Sequence, residues 1–274
     1  MDDVWVASTL PGWRAARRIV RRGAASISGE RPLAEETAIS FAYQGAAYAV
    51  MMATPADLPD FAVGFTLTEG LVARATEIEA IDILPQRGGV VLRIELATHR
   101  AKLFWERRRH LAGPSGCGLC GIESLDEALR PIPSVDSDLT LPSTSVSAAL
   151  EALARCQALN RVTRSVHAAA FWHAQRGIIA LREDVGRHNA LDKLAGALAQ
   201  SSVAAAEGAL LLTSRVSVEM VQKAAMIGAP VVIAMSAPTT LAVRVAEAAG
   251  ITLAAIARAD GFEIFSHHRR FFGG

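Results

Sequence analysis

The part of this sequence best able to do chemistry is a pair of cysteines, Cys117 and Cys120, within the glycine-rich run Gly113–Gly121. Glycine and proline favour turns with positive φ and keep such a run out of a packed face, so we expect both thiols to be presented on a loop. The basic run Arg107–His110 precedes them, and nearby cations lower the pKa of a thiol and raise its thiolate fraction. The sequence therefore predicts a reactive dithiol.

Three kinds of chemistry compete for this dithiol. A zinc site needs three or four Cys, His or acidic ligands, and no histidine has ligand-like spacing to the cysteines; the H-x-E motif of a zinc nucleobase deaminase is also missing. A dithiol oxidoreductase normally places the motif at the start of a helix in a βαβ unit, which does not match this context. A sulfur carrier needs a thiolate that accepts a sulfur atom as a persulfide and passes it on, and a swinging loop suits that role. We expect Cys156 to be a core or half-buried helical residue.

Composition narrows the class of protein. The chain has 274 residues, of which 51% are apolar, so it can bury a large core, and we expect two domains. A net charge of +1 gives no argument for a nucleic-acid partner. Three cysteines without a disulfide-like framework fit a reducing compartment, and neither a secretory signal nor a bilayer-spanning segment is evident. We therefore predict a cytoplasmic protein that contacts no membrane.

The spacing of apolar residues changes along the chain. Residues 1–30 lack periodicity and are predicted to be a flexible basic arm, and residues 31–142 indicate hairpins and helices of an N-terminal α+β domain that ends in the cysteine loop. In residues 143–274, short apolar runs alternate with amphipathic helices, which is typical of an α/β domain with a mainly parallel sheet covered by helices. The predicted fold class is thus α/β, with a smaller N-terminal domain.

Polar residues follow the predicted strands of the second half. Ser214 and Arg215 follow one strand, Ser236 follows the next, and both loops lead into helix N-termini, which favour phosphate groups. Serine is also an ordinary N-cap, but two such loops at neighbouring strand ends favour an anion site. A third polar cluster, Arg182–Lys193, contains Arg187 and His188 and is compatible with either a functional site or a structural ion-pair network.

Several motifs taken together resemble one family, the formate dehydrogenase accessory sulfurtransferases known as FdhD. The resemblance extends over nearly the whole chain after the arm. It rests on Thr54–Leu58, Phe61–Phe65, Glu69–Gly70, Gly116–Gly121, Glu183–Lys193, Ser214–Arg215 and Ser236–Thr239.

The resemblance implies a sulfurtransferase that acts as a sulfur carrier for formate dehydrogenase. Sulfur would come from a cysteine desulfurase and be held as a persulfide on Cys117, with Cys120 assisting the transfer or resolving the persulfide. The acceptor would be the molybdenum cofactor, bis-molybdopterin guanine dinucleotide, and the protein would have no intrinsic metal. The family also implies a homodimer and a three-layer C-terminal domain like that of cytidine deaminases, with the zinc chemistry abandoned.

The cofactor-binding segment of the family maps onto the last predicted strand and the turn after it. This chain has Ala259-Asp260-Gly261 where many relatives carry Gly-Gly-Arg, so Arg258 is the arginine that remains. Together with the strand-end loops, the predicted cofactor-binding residues are Ile256, Ala257, Arg258, Ala259, Asp260, Gly261, Ser214, Arg215, Ser236, Arg187 and His188. Two alternatives stay open: a chaperone that binds the molybdenum cofactor without transferring sulfur, and a zinc-binding deaminase-like protein.

Overall fold

The structure, a computed structural model, describes residues 12–110 and 132–273. The α-helices of this part are α1 (Leu58–Thr68), α2 (Thr98–His110), α3 (Ser145–Cys156), α4 (Ala158–Thr163), α5 (Arg187–Gln200), α6 (Val218–Met226) and α7 (Thr240–Ala248). Single 3₁₀ turns occur at Ala75–Glu77, Ala205–Glu207 and His268–Arg270. Among the described residues, no helix has both the length and the apolarity needed to cross a bilayer.

The first described element is a long β-hairpin, where the sequence predicted a flexible arm over residues 1–30. Strands β1 (Trp13–Arg22) and β2 (Ala25–Ala34) pair antiparallel over ten residues each, around a turn in which Gly23 has φ 60°. None of these residues is buried. The expectation of an irregular arm over residues 13–30 was therefore wrong. A hairpin exposed on both faces carries no alternation of apolar and polar residues from which its strands could be recognised.

The N-terminal sheet has four strands in the order β4-β3-β6-β5. Its strands are β3 (Thr37–Tyr43), β4 (Ala46–Ala53), β5 (Ile78–Gln86) and β6 (Gly89–Leu96). Only the central pair β3/β6 is parallel. Every second residue of β3 is buried, and Phe41 packs against Phe61 and Phe65 of α1, with ring centroids 4.9 and 4.1 Å away. The two predicted hairpins and the helix behind them are confirmed.

The C-terminal sheet has six strands in the order β13-β12-β11-β10-β8-β9. Its strands are β8 (His167–His173), β9 (Gly177–Asp184), β10 (Ala209–Leu212), β11 (Val231–Ala234), β12 (Thr252–Arg258) and β13 (Gly261–Ile264). Strands β10, β11 and β12 are parallel, but β8, β9 and β13 pair antiparallel. The sheet is therefore mixed, and the prediction of a mainly parallel sheet holds only for its three central strands. The antiparallel pairs are the two edge hairpins, β8/β9 and β12/β13, and the pair β8/β10.

Both faces of this sheet are covered. Alternate residues of β10 point to opposite sides: Leu210 and Leu212 pack in a core with α5, α6 and α7, whereas Ala209 and Leu211 pack in a second core with α3. Short strands that are fully buried on both faces give the continuous apolar runs seen in the sequence. The C-terminal part is thus a three-layer α/β/α arrangement. Its relationship to cytidine deaminases stays a prediction.

The segment after residue 131 is attached to the C-terminal half. Val135 is buried in the same core as α5–α7, and its N–H donates to the Ala249 carbonyl at 2.7 Å. Strand β7 (Leu141–Pro142) pairs in parallel with β14 (Phe271–Phe272) at the other end of the chain. The Pro-rich stretch therefore runs along the C-terminal half and packs against it.

The two sheets are joined by a close contact between α1 and α5. A Cβ atom on Gly64 would lie 1.7 Å from the Asp192 carbonyl oxygen, and one on Gly196 would lie 1.9 Å from the Asp60 carbonyl oxygen. Both distances are far below van der Waals contact, so only glycine permits the two backbones to approach this closely. Helix α1 packs on the N-terminal sheet and α5 on the C-terminal sheet, and their contact fixes the two halves together.

Candidate functional site

The loops after the three parallel strands meet at one edge of the C-terminal sheet. The loop after β10 and the loop after β11 are bonded to each other, since Val216 N–H donates to Ala237 O at 3.2 Å and Thr239 N–H donates to Val216 O at 2.9 Å. The loop after β11 also accepts a bond of 3.3 Å from Ile256 N–H to Ser236 O. The sequence-based expectation that these loops share one edge is confirmed.

The polar side chains of the first two loops differ in solvent exposure. Ser214 is 4% exposed, and its hydroxyl donates to the Arg215 carbonyl at 3.2 Å. Arg215 is exposed, and Ser236 is half-buried. The loops therefore offer the guanidinium of Arg215 and the half-buried Ser236 more readily than the Ser214 hydroxyl.

The predicted cofactor-binding segment begins with an irregular backbone. Ile256 has φ 53° and is 36% exposed, at a point where the pairing of β12 with β13 shifts register. A β-branched residue with positive φ is strained, and such strain is concentrated at functional sites. The Ala257 side chain is fully buried in the core against α3, so only its backbone could contact a ligand.

The rest of this segment forms the turn between β12 and β13. Arg258 folds back, and its Nη1 donates to the carbonyl oxygens of Met235 and Ala257. Ala259, Asp260 and Gly261 are exposed at the end of the hairpin. In this arrangement Arg258 ties the third loop to the second.

The start of α5 lies at the same edge because β9 ends there. Asp184, the last residue of β9, accepts hydrogen bonds at Oδ1 from Gly186 N–H (2.7 Å) and from Asn189 Nδ2 (3.0 Å). Its Oδ2 accepts from Thr54 N–H (3.0 Å) and Lys193 Nζ (2.6 Å). With four donors on one buried carboxylate, the backbone that leads into α5 is held firmly.

Arg187 and His188 occupy the first turn of α5, next to the start of α6. His188 Nε2 lies 4.0 Å from Glu219 Oε2, which is beyond hydrogen-bond distance. Burial, followed by the charges of Arg187 and Lys223, lowers the pKa of His188 to about 4, so its imidazole is neutral at neutral pH. Burial raises the pKa of Glu219, but the Ser217 hydroxyl, the Glu219 backbone N–H, His188 and Arg187 together bring it below its ordinary value.

The polar cluster that the sequence left open between function and ion pairing contains a buried ion-pair network, and two of its residues lie outside that network. Asp184, Asn189 and Lys193 form a buried network with Thr54 and the Met52 carbonyl of the N-terminal half. Arg187 and His188 face the strand-end edge instead. Only the tertiary structure separates the two groups, since they alternate along one stretch of sequence.

Two residues at this edge were not among the predicted site residues. His167 begins β8 opposite Asp184, and burial and then the charge of Arg187 lower its pKa. Glu219 lies in the first turn of α6 and faces His188. The sequence could not show that His167 lies at this edge, because its position depends on the antiparallel direction of β8 in the sheet. Glu219 lies only five residues after Ser214, and that spacing was the available signal.

The cysteines predicted to carry the chemistry, Cys117 and Cys120, lie outside the described residues. Cys156 is described and is exposed at the end of α3, so the expectation that it is a core or half-buried residue was wrong. It follows the last buried position of the helix, Leu153, and faces away from the sheet.

Taken together, these features define a class: a two-sheet α/β protein with a polar site at the carboxyl ends of its parallel strands. Within that class, the chain belongs to the FdhD/NarQ family, whose family model matches residues 34–272. The resemblance found in the sequence motifs is thereby confirmed.

Two relatives and one solved structure agree with this placement. The chain is 49% identical over 266 residues to the sulfur carrier protein FdhD of Agrobacterium fabrum, covering 97% of this chain and 98% of that protein. It is 48% identical over 250 residues to the sulfur carrier protein FdhD of Cupriavidus necator, covering 91% and 86%. A crystal structure from Desulfotalea psychrophila, provisionally named as a formate dehydrogenase accessory protein, superposes with a TM-score of 0.77 at 24% identity, over 96% of this chain and 100% of that one. This last likeness concerns the fold.

Proposed function

We propose that this protein is a sulfur carrier for formate dehydrogenase, which holds sulfane sulfur as a persulfide on Cys117. The observation that carries the proposal is the Cys117-x-x-Cys120 pair in a chain that is 49% identical, over 97% of its length, to a protein named as a sulfur carrier. The proposal treats the protein as a cytoplasmic homodimer and as a sulfurtransferase, with a cysteine desulfurase as donor.

Transfer of a sulfur atom from the donor to Cys117 requires no added oxidant. The Cys117 thiolate attacks the terminal sulfur of the donor's cysteine persulfide, the donor's S–S bond breaks, and the donor cysteine leaves as a thiolate. The product is a persulfide on Cys117. A low thiol pKa near the basic run would favour this attack by raising the thiolate fraction at neutral pH.

The release step assigns the second cysteine a resolving role. The Cys120 thiolate attacks the inner sulfur of the persulfide, forming a Cys117–Cys120 disulfide and releasing the outer sulfur as hydrosulfide. The sulfane sulfur gains two electrons, which the two cysteines supply, and a cellular dithiol or glutathione-type thiol then reduces the disulfide. The hydrosulfide becomes a ligand of the molybdenum centre.

The acceptor in this proposal is bis-molybdopterin guanine dinucleotide, bound as a substrate at the strand-end edge. The proposed contacts are Ser214, Arg215, Ser236, Arg187, His188 and the segment Ile256, Ala257, Arg258, Ala259, Asp260 and Gly261. The N-termini of α6 and α7, exposed Arg215 and the strained Ile256 support a site for an extended, anionic ligand here.

The proposal is tested by intact-mass spectrometry after incubation with a cysteine desulfurase and cysteine, followed by peptide mapping without reductant. We expect a gain of one sulfur, about 32 Da, on Cys117 that dithiothreitol removes. Cys117→Ala should lose it and fail to restore formate dehydrogenase activity in a deletion strain. Cys156→Ala is the matched control, because Cys156 is an exposed thiol outside the motif.

Other outcomes would change the assignment. If Cys117→Ala still restores activity, the carrier proposal is wrong and a cofactor-binding chaperone without sulfur transfer is the better description. Stoichiometric zinc that is lost on changing Cys120 would instead favour the deaminase-like alternative.

A further inference from the structure

The β1/β2 hairpin forms a sheet of its own, separate from the two larger sheets. Within the part of the chain that the structure describes, no third strand pairs with it, and none of its residues is buried. Its base rests on the protein, since a Cβ atom on Gly12 would lie 3.2 Å from side-chain carbons of Leu159 and Thr54. A two-stranded hairpin is only marginally stable by itself in water, so we expect a partner to cover this one.

Positive charge is concentrated on this hairpin. Of the 28 Lys and Arg and the 27 Asp and Glu of the chain, residues 13–34 hold six and one, which leaves 22 and 26 for all other residues. Arg14 is paired with Glu35 at 2.6 Å. Among the described residues, no ion pair forms with the other five arginines, which are all exposed: Arg17, Arg18, Arg21, Arg22 and Arg31. The hairpin therefore suits an acidic partner.

Apolar side chains are exposed between these arginines. Ile19 is 66% exposed and Ile27 is 57% exposed, and Trp13 is exposed near the base. Arginine and tryptophan together with aliphatic side chains are typical of the central part of protein–protein interfaces. A surface that binds only the phosphates of a nucleic acid gains nothing from exposed isoleucines. The composition of the hairpin therefore favours a protein partner.

The two edges of the hairpin differ in what they offer to another strand. Hydrogen-bonded and non-hydrogen-bonded pairs alternate along an antiparallel ladder, and the bond of 2.8 Å from Glu35 N–H to Gly12 O fixes their order here. Even-numbered residues of β2 therefore turn their backbone outward, and Pro32, which has no N–H, interrupts that edge. Odd-numbered residues of β1 turn outward on the other side, and no proline lies among them. The outer edge of β1 can thus accept a strand.

The order of residues along β1 specifies the chemistry of that strand. A basic pair, an apolar pair and a second basic pair follow one another: Arg17–Arg18, Ile19–Val20 and Arg21–Arg22. Neighbouring side chains of a strand point to opposite faces, so arginines flank the outer edge on both faces. The complementary strand has two acidic residues, two apolar residues and two acidic residues. A second copy of β1 would place arginine beside arginine, which is destabilising.

We propose that the outer edge of β1 binds an extended acidic segment of a partner protein by strand addition. Main-chain hydrogen bonds supply affinity in this mode of binding, and the arginines on both faces of the hairpin select acidic side chains. The surface lies outside the strand-end loops and the cysteine motif. The inference goes beyond the proposed sulfur transfer and does not depend on it.

The test measures the affinity of the full chain for fluorescent peptides by anisotropy. The first peptide has the core Glu-Glu-Val-Val-Glu-Glu, which gives the complementary order in either strand direction. We expect binding that weakens as salt is raised and is about 10-fold or more tighter than for the core Gln-Gln-Val-Val-Gln-Gln, because several exposed ion pairs act together. Backbone N-methylation of the acidic core keeps its charge but blocks strand pairing, and should also weaken binding about 10-fold or more.

A charge-reversed variant and a matched control locate the site. Arg18→Glu with Arg22→Glu changes two arginines that lie opposite uncharged residues of β2, and should weaken binding of the acidic peptide about 10- to 100-fold. Arg87→Glu with Arg176→Glu makes the same change in net charge at exposed turns of the two larger sheets, and should change the affinity by less than about 2-fold. Thermal unfolding of both variants should match wild type, since all four positions are exposed.

Four results would overturn the proposal. Equal binding of the glutamate and glutamine peptides would exclude selection by charge, and equal binding of the N-methylated peptide would exclude strand addition. Tighter binding of a polyuridine oligonucleotide, lost in the charge-reversed variant, would assign the hairpin to RNA. Conversion of a dimer to a monomer by the same variant in analytical ultracentrifugation would assign it to a second copy of the chain. None of these results bears on sulfur loading of Cys117, so the two proposals can fail independently.

Discussion

Two polar regions at the start of α5 lie within one and a half turns of each other, and they differ in how completely they are paired. In the first, at the joint between the two halves, Lys193 and Asp184 are fully buried, and their charged groups are satisfied by each other and by backbone and side-chain partners. In the second, the strand-end corner formed by Arg187, His188 and Glu219, Arg187 Nε and His188 Nε2 are buried without a partner. Buried polar groups whose hydrogen bonds are all made stabilise the fold, whereas buried groups without a partner can still bond to a ligand.

The joint has no room for a ligand. Helices α1 and α5 touch backbone to backbone at Gly64 and Gly196, and the Lys193 ammonium lies 5.4 Å from the Phe61 ring centroid while it donates to Thr54 O. A second ion pair, Lys223 to Asp192 at 2.8 Å, continues the network toward the corner. Burial raises the pKa of Asp192 despite that lysine. The buried ion pairs and helix contact of the joint therefore fix the backbone that carries Arg187 and His188.

The largest effect is expected from breaking the joint with Lys193→Met. Asp184 would keep a charge at 0% exposure without its cationic partner, which costs about 3–5 kcal/mol of the free energy of unfolding. Urea denaturation monitored by circular dichroism measures the loss. Adding Asp184→Asn should recover part of it, because the buried charge is removed. Lys102→Met, at an exposed position of α2, is the control. A loss below about 1 kcal/mol in the single variant would show that the pair is not needed for folding.

A smaller effect, visible only at acid pH, is expected at the corner. His188 has a pKa of about 4 in the folded protein and its ordinary value, 6.5, in the unfolded chain. The folded state thus binds fewer protons between these values, so the stability contribution is complete above pH 6.5 and is lost as the pH falls toward 4. The loss is about 2–3 kcal/mol.

His188→Gln removes this titration and should flatten the corresponding part of the stability profile. Urea midpoints measured from pH 7.5 to pH 4.5 test the expectation, with wild type as the reference, since His167 titrates in both proteins. Parallel profiles for the two proteins would mean that His188 is not held neutral.

The smallest effect on stability is expected from Arg187→Met. Because Arg187 Nε is buried without a partner, its loss removes no hydrogen bond at that atom, and methionine can fill the same space. We expect a change in unfolding free energy of less than about 1 kcal/mol. Lys193→Met, measured in the same urea series, should lose several times more unfolding free energy than Arg187→Met. Equal losses in the two variants would contradict the difference between the joint and the corner.

Part of the site could be predicted from the sequence. Ser214, Ser236 and Arg258 follow buried apolar runs that alternate with helices, and the carboxyl ends of parallel strands necessarily share an edge. The directions of β8, which lies between β10 and β9, and of the edge strands β9 and β13 do not follow from this alternation. Their pairing depends on hairpins that return the chain within the sheet, and periodicity carries no information about direction.

The sequence by itself determined the strands and helices with a buried face, the three strand-end loops, the cysteine pair and the family. Each of these depends on residue type and local spacing, which need no knowledge of distant contacts. Only the tertiary structure decided that residues 13–34 form a hairpin, that Lys193 pairs with Asp184 at the joint, and that Glu219 lies beside His188. These features depend on which side chains are desolvated together, and desolvation is set by the packing of segments far apart in the chain.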